Sequence, residues 1–400
     1  MREPNRITHI EVSEQNKKLR MILIVVLLAV AVVAIGTGLF SILNRDTGWQ
    51  EVEVATSERN CSQEFLLQYH FAGSGTQTTT LYKQISAVYT EACVKAYELF
   101  QVDVPSDAYE NLYDINHAVN QTLTVDPVLY AVFEKLEDTP YLYLGPIYAH
   151  YNSLIFNTDE SLVSNLDPAL SQEAKVYVEQ IMEFASNREE ISLELLGDNQ
   201  LKLHVSENYL AFAAEHEIEN FIDLRYMTNA FVIDYLAQCL QENGFTSGYL
   251  ASCDGYTRNL DSQNTYNFNI FSREGNTIYL AGVMGYRGPV SMVFLKDYSM
   301  AASDAYYRQS GDHMVHTLAD PADGMYRTSI PQLVCYSYDG SCADVLLAML
   351  PCLVTETFSL PQGVETVWCE DGTIFYTDPA VTFTELLEDE QMAYTAQLMQ

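Results

Sequence analysis

The pattern of apolar and polar positions separates one unbroken apolar run from a long remainder of short periodic stretches. No charged side chain interrupts the 23 residues from Met21 to Leu43 (MILIVVLLAVAVVAIGTGLFSIL). A helix rising about 1.5 Å per residue would make this run roughly 34 Å long, enough to cross the ~30 Å hydrocarbon layer of a bilayer. Its length and its lack of a polar face favour a membrane span over a buried core helix. Ala34-Ile35-Gly36 offers small residues for signal-peptide cleavage, but the run continues beyond them, which favours an uncleaved anchor.

Beyond the run, residues 44–60 are polar and read as a stalk. Gln77–Tyr82, rich in threonine, reads as a strand. A helix over Gln84–Phe100 follows, because Ile85, Val88, Ala92, Ala96 and Leu99 fall on one stripe. Asp167-Pro168 predicts the opening of a helix that runs to Ala185, since proline suits a first turn. Ile191–Leu196 and Gln200–Val205 flank Gly197-Asp198 and predict a hairpin. A helix over Thr228–Asn243 stops at Gly244. Ile278–Gly282, Ser291–Leu295 and Leu333–Tyr338 read as strands, and Gly340–Leu350 as a helix broken near Pro351. Thr366–Cys369 pairs with Thr373–Thr377 across Asp371-Gly372. Strands and helices come in mixed blocks rather than strict alternation, so the predicted class is α+β.

Charge sets the orientation. Arg2, Arg6, Lys17, Lys18 and Arg20 precede the apolar run, while Arg45, Asp46, Glu51 and Glu53 follow it. The positive flank stays in the cytoplasm. The expected layout is therefore a cytoplasmic tail (1–20), an anchor (21–43), a stalk (44–61) and a main domain (62–390) outside the cytoplasm. With 48% hydrophobic and 12% aromatic residues that domain holds a sizeable core. A net charge of −34 excludes nucleic acid as a partner and means that a phosphate-bearing ligand needs a local cation. All eight cysteines follow the apolar run, where either disulfides or buried thiols suit them; the absence of C-x-x-C argues against a zinc ribbon or a thioredoxin-type site. His313 and His316 are flanked by glycine and proline, which suggests a loop rather than a helical metal site. Tyr141, Tyr143, Tyr148 and Tyr151 fit core packing better than a stacking wall.

Three stretches place polar residues inside core-like segments: Phe221-Ile222-Asp223-Leu224 running on to Asp234, Met300–Arg308 followed by His316, Asp320, Pro321 and Gly324, and Ala343-Asp344 at the start of an apolar helix. Together with Gly75-Thr76, Glu110–Asn116, Val125–Tyr130, Gly145-Pro146-Ile147 and Asn243–Gly248, their order resembles that of the FAD:protein FMN transferases, the ApbE family, over residues 62–390. The resemblance implies an ApbE-like fold that binds FAD with Mg2+, splits its pyrophosphate and attaches FMN to a threonine or serine of a flavin-accepting membrane or secreted protein. It implies Asp344 as the carboxylate ligand of magnesium and the Thr228 carbonyl as its backbone ligand. His316 and Asp320 would line the reacting phosphate, His316 as a base titrating near neutrality. Asp223, Ser303, Tyr306 and Arg308 would lie beside the nucleotide.

The chain departs from that pattern at several of these places. Arg225 and Tyr226 stand where the family has two glycines, Asn229 stands for its lysine and Ala230 for its next glycine. Ala348 replaces the metal-binding threonine, Asp304 adds a negative charge, and His316 and Asp320 are one residue further apart than the pattern. Arg225 would restore the charge lost with the lysine. The alternative reading is a catalytically degenerate paralogue that binds flavin or serves as a scaffold.

Overall fold

The computed structural model describes residues 48–399 apart from 74, 138, 276, 301–305 and 389–391. The expected tail and anchor lie outside the described residues, as does Ser303. No helix among the described residues is long and apolar enough to cross a membrane. The chain divides into a small unit, Met1–Trp49 with His70–Gln84, and a large one, Gln50–Tyr69 with Ile85–Gln400. In the small unit the rings of Trp49 and His70 lie 5.2 Å apart, and those of Phe71 and Tyr82 stack at 6.1 Å.

Along the chain, β1 (Gly48–Glu51) falls inside the expected stalk, and β2 (Phe65–Phe71) follows. A helix then covers Thr76–Leu99, so the expected strand at Gln77–Tyr82 is helical instead. The Thr78, Thr79 and Thr80 hydroxyls donate back to the carbonyls of Gly73, Gly75 and Thr76, so the local threonine bonds that compete with helix here close its first turn. Next come helix Leu112–His117, β3 (Thr122–Thr124) and helices Pro127–Leu136, Gly145–Ile155, Glu160–Leu166 and Gln172–Ala185. The last of these opens at the Ser171 cap, not at Asp167-Pro168. The expected hairpin is β4 (Ile191–Gly197) and β5 (Gln200–Val205), which β3 extends into a three-stranded sheet.

Helices Glu207–Glu215 and Thr228–Glu242 precede the strand-rich half: β6 (Gly248–Ser252), β7 (Tyr256–Asn259), β8 (Thr265–Glu274), β9 (Thr277–Arg287), β10 (Ser291–Lys296), β11 (Arg308–Ser310), β12 (His313–Val315) and β13 (Gln332–Ser337). Helix Cys342–Leu353 runs through Pro351 instead of breaking there. Pro351 is on the exposed side of the helix. β14 (Glu365–Glu370), β15 (Thr373–Tyr376), β16 (Thr382–Thr384) and β17 (Thr395–Leu398) complete the chain.

In the large unit the main sheet runs β2-β6-β7-β10-β13-β14-β15-β17, antiparallel except for the last pair. β2 alternates buried and half-buried positions, as one covered face requires, whereas β10 and β13 are buried almost throughout because both their faces are covered. Helices Thr228–Glu242 and Cys342–Leu353 pack together and cover one face. The small sheet β16-β9-β8 covers the other through Ile270, Met284, Met292, Val334 and Ile374. The result is an α+β layering.

Candidate functional site

The segment Asn220–Tyr226 is held from two sides. Asn116, buried at the end of the short helix Leu112–His117, accepts the N–H groups of Phe221 and Ile222 with its Oδ1 and donates Nδ2 to the Ile222 carbonyl at 2.9 Å. Gly145 approaches the same backbone so closely that a Cβ there would lie 2.5 Å from the Asn220 carbonyl oxygen. Two of the stretches singled out in the sequence thus meet on a third. The chain leaves this clamp at Asp223, whose Oδ1 accepts the Arg225 N–H at 2.9 Å. Arg225 has φ +42°, a left-handed conformation favourable to glycine and strained for arginine.

Below this turn lies a cavity of about 770 Å³. Its walls come from residues 60–64, the end of helix Thr76–Leu99, the turn at Cys253-Asp254, the end of β10, and residues 316–318. Tyr97, Tyr226, Tyr306 and Tyr307 give it aromatic surface. Among the described lining residues, Glu64, Asp103, Asp223 and Asp254 face Arg225 and Lys296, so carboxylates outnumber cations. Lys296 lies 4.3 Å from the Tyr307 ring centroid. The buried Arg225 Nε has no hydrogen-bond partner and its nearest charge, Asp223 Oδ2, is 3.9 Å away, which leaves it able to meet an anion.

Burial raises both carboxyls on which this polarity turns. Asp223 is pushed up by burial, partly countered by Arg225. Asp254 rises to about 6, mainly through burial, with hydrogen bonds from Ser252 and Asn229 pulling the other way. Asn229, standing for the lysine of the resemblance, is buried and donates to Glu64 Oε2 at 2.8 Å.

The structure brings some of the expected residues together and holds others elsewhere. Asp223, Arg225, Thr228, Tyr306 and His316 all line the cavity. His316 is 4% exposed, and burial, then Arg273, lower it to about 3, so it is neutral at physiological pH instead of titrating near neutrality. Its Nδ1 accepts the Leu318 N–H at 3.2 Å, which leaves the proton on Nε2. Asp320 sits in a separate turn, accepting the Ala322 N–H at 2.9 Å with Arg327 Nη1 at 3.6 Å. Arg308 points away from the cavity and donates to the carbonyls of Leu154, Ile155 and Asn157 at the end of helix Gly145–Ile155.

Asp344 lies at the start of helix Cys342–Leu353. Its Oδ2 accepts the N–H and hydroxyl of Ser341 in a capping box, and its Oδ1 pairs with the Lys135 ammonium. Those bonds hold its carboxyl below the usual range against the opposing effect of burial. The described residues do not fit a magnesium ion. Both oxygens of the one expected side-chain ligand are already engaged, position 348 is alanine, and no group of three His, Cys, Asp or Glu residues is disposed to hold a metal among the described residues. An aromatic nucleotide fits better, given the tyrosine walls and the unpartnered Arg225 Nε.

No protein family matches the sequence, and neither does any curated protein. Solved structures do. The ApbE protein of Thermotoga maritima superposes with a TM-score of 0.51 at 12% identity, over 84% of this chain and 97% of that one. The chain has an ApbE-like fold. The flavin transferase ApbE of Vibrio cholerae, in a mutant form, gives 0.46 at 13% identity, covering 84% of this chain and 96% of its own. The flavinyl transferase ApbE of Pseudomonas stutzeri, in its apo form, gives 0.45 at 12%, covering 85% and 94%.

Several cavity residues carried no signal in the sequence. Cys61 is the last residue of the expected stalk and Glu64 belongs to the turn that follows it, Tyr97 to a helix face that reads as surface, and Lys296 to the end of a strand. Asp254 belongs to the short turn between β6 and β7. Only the pairing of β2 with β6 brings residues 64 and 254 to one wall.

Proposed function

We propose that this is a flavin-transferase-type protein whose cavity holds a flavin nucleotide without carrying out magnesium-dependent transfer. The observation behind this reading is Asp344. Its carboxylate is occupied by Lys135 and Ser341, and no second oxygen ligand stands at Ala348. In the cavity Arg225 would meet the anionic part of the ligand, and the tyrosine walls would take its ring system. Neutral His316 can donate a hydrogen bond from Nε2 but is a weak base. Without a metal, nothing among the described residues neutralises a diphosphate strongly enough for its cleavage.

A second reading, FMN transfer from FAD to a threonine or serine of a partner protein, draws on the ApbE-like fold and on the joint presence of His316 and Thr228 in the cavity. One experiment separates the two. FAD is titrated into the protein with and without magnesium while flavin fluorescence is followed, and an acceptor peptide is then weighed for an added FMN. Binding that ignores magnesium and leaves the peptide unmodified supports the holder. An FMN adduct overturns it in favour of the transferase, and a failure to bind any flavin removes both.

The site of action belongs to the same proposal. The uncharged run Met21–Leu43 and its positive N-terminal flank support a reading in which the domain lies outside the cytoplasm on a single-pass anchor, beside a flavin-carrying membrane or secreted partner. Protease digestion of intact cells, with degradation of the domain expected, tests that placement.

A further inference from the structure

We propose that Cys61 and Cys93 form a reversible disulfide that staples two walls of the cavity, formed by exchange with a low-molecular-weight or protein disulfide. Cys61 caps the short turn Ser62–Glu64 just before β2, and Cys93 is fully buried in helix Thr76–Leu99. The Cys61 N–H donates to the Cys93 carbonyl at 3.3 Å, so the two backbones already lie as close as a disulfide requires. The Cys93 side chain is also the strongest influence on the Cys61 thiol, which it raises. Cys61 lines the cavity together with Glu64 on one wall, while Ala96 and Tyr97, one turn beyond Cys93, line the other. A bond between the sulfurs therefore joins the two elements across this contact.

The exposures of the two residues set the order of events. Cys61 is half-buried and opens on the cavity, whereas Cys93 has no exposed surface. An incoming disulfide RSSR meets Cys61 first. The Cys61 thiolate, having lost its proton to solvent, attacks one sulfur and RSH departs with a proton. The Cys93 sulfur, also deprotonated, then attacks Sγ of Cys61 and releases the second RSH. Two thiols are oxidised, one disulfide is reduced to two thiols, and no other reactant is needed. Contact with Cys93, then burial, keep the Cys61 thiol protonated in the reduced form, so pairing should quicken as pH rises.

Cys253 makes the assignment testable. It is exposed, it also lines the cavity, and its N–H donates to the Glu64 carbonyl at 2.9 Å, which makes it the obvious competitor for Cys61. The full chain, in detergent, is incubated with oxidised glutathione, alkylated, digested without reductant and mapped by mass. The expected result is a linked peptide pair containing Cys61 and Cys93, lost on adding reductant and unaffected by Cys253→Ser. The unfolding midpoint of the oxidised protein should rise by about 5 °C, a gain that Cys93→Ser removes. Alkylation of both thiols after oxidation, a lasting glutathione adduct on Cys61, or a Cys61–Cys253 link would each overturn the proposal. The wild-type map alone decides among these outcomes if the variants fold poorly.

Discussion

Asp234 closes the start of the helix whose second residue is Ala343: its Oδ1 and Oδ2 accept the N–H groups of Cys342 and Ala343 at 2.9 Å each. The carboxylate is half-buried and is raised by desolvation, with the two N–H groups pulling it back down. It joins the two helices that cover one face of the main sheet, and it satisfies donors at the positive end of a helix dipole. Asp234→Ala leaves those N–H groups without partners and should lower stability by about 2–4 kcal/mol. Urea unfolding of the variant measures the loss.

Asn116 clamps the approach to the cavity through three bonds to Phe221 and Ile222. Asn116→Ala should cost about 2–3 kcal/mol and also loosen Asp223, one residue further on. The expected outcome is a weaker flavin affinity alongside the lower denaturation midpoint. Asn116→Asp, which keeps the acceptor and loses the donor, should fall between the two proteins.

Acid and base act on the fold in opposite directions through two cavity groups. The His316 imidazole is held at about 3 against an ordinary 6.5, so its contribution is lost as pH falls from about 6.5 toward 3. Asp254 is raised to about 6 from 3.8, so its contribution is present below about 4 and lost as pH rises through 6. His316→Gln should therefore recover about 2 kcal/mol at pH 4.5 relative to the acid loss of the wild type. Asp254→Asn should gain about 1–2 kcal/mol at pH 8 and almost nothing at pH 4. Chemical denaturation at a series of pH values resolves the two.

The same Asp254 charge should govern anionic ligands. FAD or FMN affinity should strengthen as pH falls through about 6, and Asp254→Asn should flatten that dependence. Arg225→Ala should weaken either flavin roughly tenfold to a hundredfold, the worth of one charge-assisted contact. Calorimetric titration at two pH values checks both.

The Lys135–Asp344 pair is exposed, so Lys135→Ala should cost less than about 1 kcal/mol. Its removal frees an oxygen of Asp344. The wild-type unfolding midpoint should ignore millimolar magnesium, whereas Lys135→Ala combined with Ala348→Thr should shift upward by about 1–2 °C. Thermal melts with and without the ion make the comparison.

Regular pattern carried most of the fold into view. The β4–β5 hairpin, helix Thr228–Glu242 and the β14–β15 turn at Asp371-Gly372 sit where alternation, helical spacing and turn chemistry put them. Each was legible because neighbouring residues determine it. Asp167 shows why other parts were not. Its carboxylate is fully buried and accepts bonds from Ser310, His313 and Tyr326, more than a hundred residues away, so Ser171 is left to open the following helix. Of the residues that the motif order named, Asp223, Arg225, Thr228, Tyr306 and His316 line one cavity, yet the contacts of Lys135 and Glu64 depend on packing between distant segments, which no local spacing encodes.

Arg225 keeps a backbone shaped for a residue with no side chain. Replacing it with glycine would ask nothing new of the chain's path, so this wall of the chamber can be opened and lose a positive charge in a single step. The size and charge of that wall thus turn on one codon, with the surrounding backbone already prepared for either residue.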